Sequence, residues 1–594
     1  MQSAKKVVLK TNHKTILRKD IEVYLKELVD SAKEQWISQM SLPIAERVRK
    51  RKAIDNLTLV DDFHERTSAN DHLIKVRFQS NISDFKEGDP LILHTEDSSE
   101  KYKCTLQCFE NDTIILLISS YVYSSILLQT LSGQELILDQ DVIDMTELYY
   151  YFTAQMPSVG TYWGNSILNK VPVPHFINRD LCERQINLDF TEDELTPSQR
   201  EALVNSLSAE DYYLIQGPPG TGKTFLLSII LTAELKYFHH KVVVIAQNHM
   251  AINNVLEGFN KIAPGCPYVV AKVGQEYHAP KPYIRDDEQF EILNLEHLPV
   301  DRLLNIAEDG FIIGMTPYSF YSSRARDLTC DTLIIDEAGQ MSIPLAMMGM
   351  IKAKKTILAG DDKQLAPIVS SDKISPKMKP SIFERLKTKD NCTLLDVSFR
   401  MCTTICEFVS DLFYDGSIRS NVPTKEKKTF SNDPIYDWDK PIIFHQITDN
   451  GKQTSLTEAK RIVNVIEQFI GYGVKGNDIG IISPFRAQAM LIRRLIMESG
   501  HIEEQDKKNI ISDTVDRMQG QEREIIIYSM TAGNIEYMTE MGDFLYNPNK
   551  LNVAFSRAKY KLIVVGDFMK IKNLELRAYP HLMKMIKSPL VTHV

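Results

Sequence analysis

The stretch that decides the fold is Gly217-Pro-Pro-Gly-Thr-Gly-Lys-Thr224, which fits the pattern G-x-x-x-x-G-K-[ST] in full. An apolar stretch that ends at Gln216 precedes it, and an apolar helical stretch begins at Phe225. Glycines let backbone N–H groups curl around phosphate oxygens, and the N-terminus of the following helix adds its positive end. Since strand, loop and helix stand in the required order, the sequence predicts a phosphate-binding loop in an α/β fold.

Each position of this loop has an expected task. Lys223 is predicted to reach the β- and γ-phosphates of ATP, and the Thr224 hydroxyl is predicted to bind Mg²⁺. The other positions are expected to cradle the phosphates with their backbone, and they are Gly217, Pro218, Pro219, Gly220, Thr221 and Gly222. The sequence therefore predicts ATP and Mg²⁺ as the ligands of this loop.

A pair of carboxylates, Asp336 and Glu337, follows the apolar stretch at residues 333–335. On a surface such a pair would simply be solvated, but α/β sheets bind ligands at the carboxyl ends of parallel strands. At such an end, Asp336 is predicted to bind the magnesium ion, directly or through water. Glu337 is predicted to polarise the attacking water as a general base.

Apolar strands recur along the chain and predict two α/β units. Near-continuous Val, Ile and Leu strands are typical of parallel sheets that are covered on both faces. The first set comprises residues 212–215, 242–245, 332–335 and 356–359, and the second comprises residues 442–444, 479–482, 525–528 and 562–565. Ser455 followed by Glu458 predicts a capping box for a helix of the second set. We therefore expect two α/β domains, over residues 190–425 and 426–594.

The first 150 residues differ in character from the rest. Residues 18–65 look helical and highly charged, and their basic run is either a solvated helix face or a stalk that faces nucleic acid; it contains Arg47, Arg49, Lys50, Arg51 and Lys52. Short β-rich stretches separated by turns follow and are typical of a small barrel, which is either scaffold or a nucleic-acid contact. We expect a helical region over residues 1–70 and a barrel over residues 71–150.

Composition limits the classes of protein that fit. A net charge of −9 and a pI of about 5.9 give no overall attraction to nucleic acid, so affinity for phosphates must come from local basic faces. The eight cysteines form no CxxC pair and have no histidines at zinc spacing, so we expect buried, reduced thiols. The longest apolar stretches are far too short to span a bilayer. We expect a cytoplasmic protein without a membrane partner.

The phosphate-binding loop alone does not separate a kinase, a GTPase and a motor. A GTPase needs a guanine-reading Asn-Lys-x-Asp after the loop, whereas the Asn-Lys-Val-Pro at Asn169 precedes it and lacks the Asp. A small-molecule kinase rarely needs 594 residues and two tandem α/β domains. A nucleic-acid motor does, because ATP lies between two domains that open and close around it.

The motifs between residues 195 and 566 resemble, in text and order, those of the superfamily 1B helicases, the RNA-surveillance and Senataxin-like group. Leu195-Thr-Pro-Ser-Gln199 is similar to the adenine-reading Q motif, which implies that Gln199 binds adenine. Residues 358–367 resemble motif III, which implies that Gln364 senses the γ-phosphate. Residues 397–401 resemble motif IV, which implies that Phe399 stacks on adenine and that Arg400 neutralises transition-state charge.

The last two motifs of the resemblance complete the ATP site. Residues 514–522 resemble motif V, which implies that Gly520 and Glu522 lie near the nucleotide. Residues 551–558 resemble motif VI, which implies that Arg557 is a second arginine finger. Guanidinium binds phosphate in a bidentate manner, and an arginine supplied across a cleft makes hydrolysis depend on closure of that cleft.

Other motifs of the resemblance imply contacts with a single strand of nucleic acid. Residues 246–253 and 314–316 resemble motifs Ia and Ic, and residues 483–488 resemble the first strand-contacting loop of the second domain. Such contacts reach the backbone and are largely independent of sequence. The implied nucleic-acid-binding residues are Asn248, His249, Thr316, Pro484, Phe485 and Thr514.

The resemblance also implies an architecture and an activity. The implied fold is α/β, with two tandem RecA-like P-loop motor domains, an N-terminal helical stalk and a small β-barrel accessory domain of the 1B type. A short version of the small helical 1C insertion is expected within residues 274–306. The implied activity is that of an ATP-dependent helicase or translocase on single-stranded DNA or RNA, in the 5′-to-3′ direction.

Other functions remain as alternatives. A nucleic-acid-stimulated ATPase clamp or remodeller with weak unwinding shares every motif. A scaffold with a relic ATPase fold predicts a damaged catalytic set, whereas that set is intact and comprises Lys223, Thr224, Asp336, Glu337, Gln364, Arg400 and Arg557. No nuclease constellation stands out, so a nuclease, in DNA repair or antiviral defence, is expected only as a separate partner. The choice between DNA and RNA depends on contacts to the 2′-hydroxyl and stays open.

Overall fold

The computed structural model describes residue 16 and residues 18–594 with gaps. It does not describe residues 1–15, 17, 67–70, 80, 82, 84, 86–88, 97–100, 111, 120–121, 124–128, 143–144, 157–174, 191–193, 275–278, 296–309, 323–324, 326, 370, 372, 423–432, 519 and 574–578. Asn169, which bears on the GTPase alternative, lies outside the described residues.

Six strands near the N-terminus form a closed barrel. They are β1 (Ala53–Arg66), β2 (His72–Arg77), β3 (Pro90–Thr95), β4 (Tyr102–Glu110), β5 (Thr113–Ile118) and β6 (Leu136–Gln140). Neighbouring strands pair in the order β1-β2-β5-β4-β3-β6. Buried apolar side chains such as Ile74, Leu116 and Leu138 fill the interior. Closure leaves the sheet without an exposed edge.

Strand β1 lies within the segment that we expected to be helical, so that expectation is wrong for residues 53–66. Exposed charges such as Asp61 gave the segment the composition of a solvated helix. Ile54 and Leu57 are instead buried in the barrel, and β1 pairs with β2 on one side and β6 on the other. Tertiary pairing therefore overrides the local helical preference.

Three helices flank the barrel: α1 (Arg18–Met40) and α2 (Ile44–Arg49) precede it, and α3 (Thr146–Gln155) follows it. Apolar residues of α1 and α3, including Tyr24 and Phe152, pack into one apolar cluster with the first large sheet. Within the basic run, Arg49 is exposed, but Arg47 is buried and forms a 2.5 Å ion pair with Asp139 of the barrel. Arg47 thus belongs neither to a solvated face nor to a nucleic-acid surface.

The first large sheet has eight strands: β7 (Tyr212–Gln216), β8 (Lys241–Ile245), β9 (Val269–Lys272), β12 (Leu293–Asn294), β13 (Phe311–Met315), β14 (Cys330–Ile335), β15 (Ala353–Gly360) and β16 (Cys392–Leu394). Their order is β12-β9-β13-β8-β14-β15-β7-β16, and every pair is parallel. Val242 and Val243 fall into different apolar clusters. The sheet is therefore covered on both faces, as predicted.

The helices that accompany this sheet are α4 (Arg179–Asp189), α5 (Pro197–Ser208), α6 (Lys223–Phe238), α7 (His249–Ile262), α8 (Ile343–Met350) and α9 (Ile382–Leu386). Helix α6 is apolar along most of its length and is buried against β7 and β8, with Leu226 and Ile230 fully enclosed. Burial on several sides fixes α6, and with it the loop that precedes α6.

The second large sheet has six strands: β19 (Ile442–Gln446), β20 (Ile479–Ser483), β21 (Ile511–Thr514), β22 (Arg523–Ser529), β23 (Ala558–Gly566) and β24 (Thr592–His593). Their order is β21-β20-β22-β23-β19-β24, again with parallel pairs throughout. Its helices are α11 (Leu456–Gly471), α12 (Arg486–Glu498), α13 (Glu504–Asn509), α14 (Ile535–Glu540), α15 (Gly542–Leu545), α16 (Pro548–Phe555), α17 (Phe568–Asn573) and α18 (Pro580–Ile586).

Between the two sheets, β17 (Val397–Ser398) pairs with β18 (Arg419–Ser420), and α10 (Thr403–Phe413) lies between them in sequence. Helix α10 falls in the range 190–425 that we assigned to the first domain. Its buried residues Ile405 and Phe408 nevertheless pack into the apolar cluster of the second sheet, where Phe408 meets Phe444. Residues from Met401 onward therefore pack with the second sheet, although those up to 425 lie in the range that we expected to be the first domain.

The segment 274–306 does not have the helical character that we expected where it is described. It contains a hairpin of β10 (Tyr283–Arg285) and β11 (Glu288–Phe290). The two linking residues, Asp286 and Asp287, have φ of 51° and 66°, as a tight hairpin turn of two residues requires. Residues 275–278 and 296–309 of this segment lie outside the described residues.

The predicted capping box at α11 is only half formed. The Ser455 hydroxyl accepts the N–H of Glu458 at 3.0 Å, as predicted. The Glu458 carboxyl does not return to Ser455, because it accepts hydrogen bonds from Ser529 and Thr531 instead. The N–H of Ser455 donates to Gln488 at 2.8 Å.

Two further expectations concern the chain as a whole. Each of the eight cysteines is buried or half-buried. In the part of the chain that is described, no helix has both the length and the apolarity needed to cross a bilayer.

Candidate active site

The loop at residues 217–224 joins the end of β7 to the start of α6, as the sequence predicted. Gly220 and Gly222 have φ of 75° and 79°, a left-handed conformation that residues with a side chain rarely adopt. A Cβ on Gly220 would lie 2.4 Å from the Cβ of Arg400, and a Cβ on Gly222 would lie 2.7 Å from the Nε2 of Gln199. Glycine at these positions permits both the turn and the close approach of its neighbours.

Lys223 lies between two carboxylates. Its Nζ is 2.7 Å from the Oε1 of Glu337 and 3.2 Å from the Oδ1 of Asp336. Burial acts to lower the pKa of the Lys223 ammonium, but the two carboxylates outweigh burial and raise this pKa. Lys223 therefore carries its full positive charge at the loop that is built to hold phosphates.

The two carboxylates respond differently to this shared cation. Burial raises the pKa of Asp336, and the neighbouring Glu337 charge adds to that rise. Burial also opposes ionisation of Glu337, but the charge and hydrogen bond of Lys223 override it and lower the pKa of Glu337. Glu337 is therefore ionised at neutral pH, which is the form that a general base requires.

Glu337 has an unusual backbone conformation, with φ of 53° in the left-handed region. Such strain in a residue other than glycine persists only where its surroundings hold it. The N–H of Ala338 donates to the carbonyl of Ala359 at 2.8 Å, and the Nε2 of Gln340 donates to the Oε2 of Glu337 at 3.0 Å. A Cβ on Gly339 would lie 2.5 Å from the carbonyl oxygen of Asp361, so glycine lets this turn pack closely. The strained turn directs the carboxylate toward Lys223.

Two arginines lie beside the loop, and each is hydrogen-bonded to residues of the second unit. The Nε of Arg400 donates to the Oε2 of Glu522 at 2.5 Å, and its Nη1 donates to the carbonyl of Ser556 at 3.3 Å. Arg557 is 3% exposed, and its Nε donates to the carbonyl of Val553 at 3.0 Å. Burial, with a contribution from Arg400, lowers the pKa of Arg557 to about 9, so it remains charged at neutral pH.

One cavity of about 360 Å³ collects these groups. The predicted residues in its lining are Gly217, Pro218, Pro219, Gly220, Thr221, Gly222, Lys223, Thr224, Asp336, Glu337, Gln364, Phe399, Arg400, Gly520, Glu522 and Arg557. Its volume lies in the range of about 300–1,000 Å³ that is usual for small-molecule sites. Phe399 is 46% exposed, so its ring is free to stack on a planar base.

Three residues of this lining were not predicted from the sequence: Phe225, Ala251 and Asn254. Ala251 and Asn254 lie one turn apart on α7, so they face the cavity from the same side of the helix. The available signal was the stretch 246–253, which the sequence analysis assigned wholly to nucleic acid.

Gln199 is the exception among the predicted nucleotide residues, because it is buried outside the cavity lining. Its Oε1 accepts the N–H of Thr196, and its Nε2 donates to the carbonyl of Thr221 at 3.0 Å. The first bond belongs to a complete capping box at the start of α5. Each end of the amide thus already has one protein partner, and the side chain is only 3% exposed.

Oxygen donors suited to a magnesium ion are present at Thr224 and Asp336, which both line the cavity. Magnesium is usually held by one or two carboxylates together with substrate phosphates and water, rather than by a cage of protein ligands. In the described part of the chain, no group of three His, Cys, Asp or Glu side chains could hold a metal ion. The donor set therefore fits magnesium that enters with a nucleotide.

A second cleft, of about 610 Å³, lies between the two sheets. Residues of the first unit that line it are Gln247, Asn248, Gln340, Leu365, Ala366, Pro367 and Ile368, and those of the second are Asp516, Asn547, Asn549 and Lys550. Of the six residues predicted to bind nucleic acid, only Asn248 is in this lining. The Oδ1 of Asn248 also caps α7 by accepting the N–H of Ala251 at 2.8 Å.

The other five residues predicted to bind nucleic acid lie elsewhere. Thr316 is buried, and its hydroxyl is hydrogen-bonded to a neighbouring serine at 2.9 Å. Phe485 is buried against two aromatic rings, and Pro484 beside it is also buried. His249 is the first residue of α7, and Thr514 is the last residue of β21. Their contact with nucleic acid stays a prediction.

The cleft also contains residues that the sequence analysis missed. Ile368 is 81% exposed, directly after the stretch 358–367. The ammonium of Lys550 lies 4.0 Å from the centre of the Phe544 ring. The cleft thus presents one exposed apolar side chain and one cation. The available signal was weak, since each is a single residue beside a recognised motif.

Comparison with known proteins extends this picture. One AAA domain family matches residues 199–370, and a second AAA domain family matches residues 378–569. The chain is 28% identical over 413 residues to the Regulator of nonsense transcripts 1 homolog of Neurospora crassa, a match that covers 63% of this chain and 37% of that protein.

Two further relatives are helicases by name. An uncharacterised ATP-dependent helicase of Methanocaldococcus jannaschii is 26% identical over 498 residues, which covers 68% of this chain and 72% of that protein. The DNA replication ATP-dependent helicase/nuclease of Schizosaccharomyces pombe is 28% identical over 445 residues, which covers 70% of this chain and 30% of that protein. The matches thus span about a third of the length of two of these three relatives.

Proposed function

We infer that this chain, which belongs to the superfamily 1B helicases, is an ATP-hydrolysing motor that moves along a single strand of DNA or RNA. The observation that carries this inference is the position of Arg400 and Arg557, which line the same cavity as Lys223 and Glu337. Lys223 begins α6 and Glu337 follows β14, both in the first unit, whereas Arg557 follows α16 of the second. A site assembled from both units suits hydrolysis that is coupled to their relative motion.

The residues of the cavity divide the chemistry among them. We assign Glu337 to orient and deprotonate the attacking water, since its carboxylate is ionised and directed at the loop. Lys223, Arg400 and Arg557 supply the positive charge that stabilises the transferring phosphoryl group. Gln364, at the edge between the two units, contacts the γ-phosphate in this assignment. Thr224 and Asp336 would hold magnesium, which neutralises phosphate charge when bound.

The two sheets would then be RecA-like motor domains in tandem. We assign the first to residues from about 190 to 400 and the second to residues from Met401 onward, following the packing of α10. Helices α1 and α3, which pack on the first sheet and flank the barrel, would serve as the stalk of a 1B-like barrel. In this arrangement α1 and α3 fix the barrel to the first motor domain.

The track is a single strand that occupies the cleft between the two units. Loop residues of both units line this cleft, so opening and closing would change the grip on a strand inside it. One relative is named for nonsense transcripts and another for DNA replication, so both RNA and DNA are represented among the relatives. Membership of the superfamily implies movement from 5′ to 3′.

Steady-state ATP hydrolysis tests this function. It is measured without nucleic acid, with single-stranded DNA and with single-stranded RNA, for the natural chain and for Glu337→Gln. We expect strong stimulation by at least one strand, and a loss of about 10²–10⁴-fold in Glu337→Gln, as is usual on removal of a general base. Glu407→Gln, an exposed change on α10, is the matched control and should retain the natural rate. Hydrolysis that neither strand stimulates would contradict the motor.

Strand displacement then separates a helicase from a clamp that only hydrolyses ATP. The natural chain is incubated with ATP and with duplexes that carry either a 5′ or a 3′ single-stranded overhang. Displacement from the 5′ overhang alone is the expected result. Stimulated hydrolysis without displacement from either substrate would identify a remodeller with weak unwinding.

A further inference from the structure

A set of partly buried hydrogen bonds joins residues 361–364 of the first unit to α16 of the second. The Nδ2 of Asn549 donates to the carbonyl of Gln364 at 2.5 Å and to that of Asp362 at 3.2 Å. The Nδ2 of Asn552, one turn further along α16, donates to the carbonyl of Lys363 at 2.6 Å. Two asparagines on one face of the helix thus hold three consecutive carbonyls of the facing loop.

Tyr414 adds a side-chain connection to this contact. It directly follows α10, and its hydroxyl donates to the Oδ2 of Asp361 at 2.5 Å while it accepts the Nδ2 of Asn552 at 2.7 Å. The same carboxylate accepts the Nε2 of Gln364 at 2.9 Å and the Nε2 of Gln216 at 3.1 Å. Asp361 therefore connects Tyr414 to a residue of the cavity lining and to the end of β7.

Burial makes these bonds firm. Asp361, Tyr414 and Asn552 are 3%, 5% and 0% exposed, so water cannot replace a lost partner easily. Asn552 commits both of its N–H groups to the contact, while its Oδ1 has no hydrogen-bond partner among the described residues. The amide is therefore oriented so that its nitrogen contacts Lys363 and Tyr414, while its oxygen lacks a hydrogen bond.

The contact connects residues on both sides of the ATP site. Gln364 lines the cavity, and Gln216 directly precedes the phosphate-binding loop. At the other end, Arg557 stands two residues beyond α16, and its Nε is hydrogen-bonded to the carbonyl of Val553 on that helix. A shift of residues 361–364 relative to the phosphate-binding loop would therefore displace α16, the helix that positions Arg557.

We propose that Tyr414, Asn549 and Asn552 form a latch that sets the position of Arg557 according to the position of Gln364. The proposal rests on the proposed function, because that function assigns Gln364 and Arg557 to the γ-phosphate. Tyr414 and Asn552 do not line the nucleotide cavity, so they are positioning residues. They let the second unit place Arg557 only when residues 361–364 of the first unit are in the position in which Gln364 contacts the γ-phosphate.

Tyr414→Phe tests the latch, because it removes the hydroxyl and keeps the ring in its apolar surroundings. We expect kcat for ATP hydrolysis to fall about tenfold, since small displacements of a catalytic group cost one to two orders of magnitude. The KM for ATP should change less than about threefold, because the residues that bind the nucleotide are untouched. Tyr213→Phe is the matched control, since its buried hydroxyl also has two side-chain partners, Asn205 and Thr393, at 2.8 Å each.

A double-mutant cycle shows whether Tyr414 acts through Arg557. In Arg557→Ala the latch has no arginine to place, so Tyr414→Phe should add less than about a twofold loss of kcat in single-turnover hydrolysis. A full tenfold additional loss would overturn the proposal. An unchanged kcat in Tyr414→Phe alone, or an equal loss in Tyr213→Phe, would also overturn it.

Failure of the latch and failure of the motor give different results. If neither strand stimulates ATP hydrolysis by the natural chain, the proposed function is wrong. The double-mutant cycle of Tyr414 and Arg557 then uses kcat measured without nucleic acid. If the natural chain is stimulated and Tyr414→Phe behaves like the natural chain, the latch alone fails.

Discussion

Glu458 shows how a single side chain supports a strained turn in the second unit. Its Oε2 accepts the Ser529 hydroxyl at 2.6 Å and the N–H of Thr531 at 2.9 Å. Thr531 has φ of 68°, which is a costly conformation for a β-branched residue. Burial raises the pKa of Glu458 to about 8, so the carboxyl is protonated at neutral pH. A neutral acid, rather than a charge, therefore holds the turn that follows β22.

This raised pKa predicts a loss of stability as pH rises. The folded chain keeps the proton on Glu458 up to about pH 8, whereas the unfolded chain releases it near the ordinary value of 4.5. Between these values the folded state binds more protons, so each pH unit favours unfolding by roughly 1.4 kcal/mol. Glu458→Gln cannot ionise, and its melting temperature should exceed that of the natural chain by several degrees at pH 8 and less at pH 6.

Calorimetry at several pH values checks this prediction. Glu536→Gln, an exposed change on α14, should follow the natural chain at every pH. If Glu458→Gln also follows the natural chain, the carboxyl is not the source of the pH dependence.

At the same scale, spacing predicted local partners and missed distant ones. The hydrogen bond between Ser455 and Glu458 follows from a spacing of three residues, but Ser529 lies 71 residues from Glu458. Gln199 was predicted to bind adenine, but its Oε1 completes a capping box at the start of α5 and its Nε2 donates to the carbonyl of Thr221. Sequence patterns identify the residue type that a site needs, while the fold decides which partner each residue has.

At the scale of elements, the phosphate-binding loop and the β17 turn are packed together through Gly220. Its φ is 75°, and a Cβ there would meet the Cβ of Arg400. Gly133, in the barrel region, has nearly the same φ of 73°, but a Cβ there would meet nothing within 4 Å. The two glycines thus share a backbone requirement and differ only in their surroundings.

Alanine at each position separates these two effects. Both variants should lose about 1 kcal/mol of stability, because alanine disfavours the left-handed conformation. Only Gly220→Ala should displace Arg400 and the loop, and we expect its KM for ATP to rise by about tenfold or more. Thermal unfolding and steady-state hydrolysis of both variants provide the check. Equal KM values for Gly220→Ala and Gly133→Ala would contradict the close packing at Gly220.

The sequence predicted the parallel strands well because they are apolar on both faces. Strand β14, for example, is buried from Thr332 to Ile335 and reads as a continuous apolar run. The prediction for β1 was wrong, because a barrel strand with one solvated side carries charges that resemble those of an exposed helix. The position of α10 could not be predicted either, since an amphipathic helix does not reveal which of two neighbouring cores it covers.

At the scale of the whole molecule, the ATP site could be predicted almost completely, but the cleft could not. Most residues of the cavity lining stand in a motif that has its own local pattern, whereas Phe225 and Asn254 lie just outside one. The cleft brings together residues 247–248, 365–368, 547, 549 and 550, which have no shared pattern and meet only because two units fold against each other. The prediction of nucleic-acid contacts from single motifs therefore placed only Asn248 in this cleft.

Because the whole molecule is acidic, the contribution of a single cation in the cleft to binding of nucleic acid should be measurable. A chain with a net charge of −9 repels nucleic acid except where cations are concentrated, so each cation in the track should matter individually. Lys550 lines the cleft and lies 4.0 Å from the centre of the Phe544 ring, which holds its ammonium in place. Lys572 is an exposed lysine on α17 outside the cleft lining and serves as the matched control.

Affinity for a single strand, measured by fluorescence anisotropy over a range of salt concentrations, should reveal a direct contact between Lys550 and phosphate. Each neutralised phosphate contributes about −0.7 to the slope of log K against log salt for single strands. We expect Lys550→Gln to reduce the magnitude of this slope by about that amount and to weaken binding at low salt, whereas Lys572→Gln should leave it unchanged. A weaker affinity with an unchanged slope would mean that Lys550 shapes the cleft without touching the strand. The path of the track would then have to lie on other cations, since an acidic chain cannot hold a phosphate backbone without them.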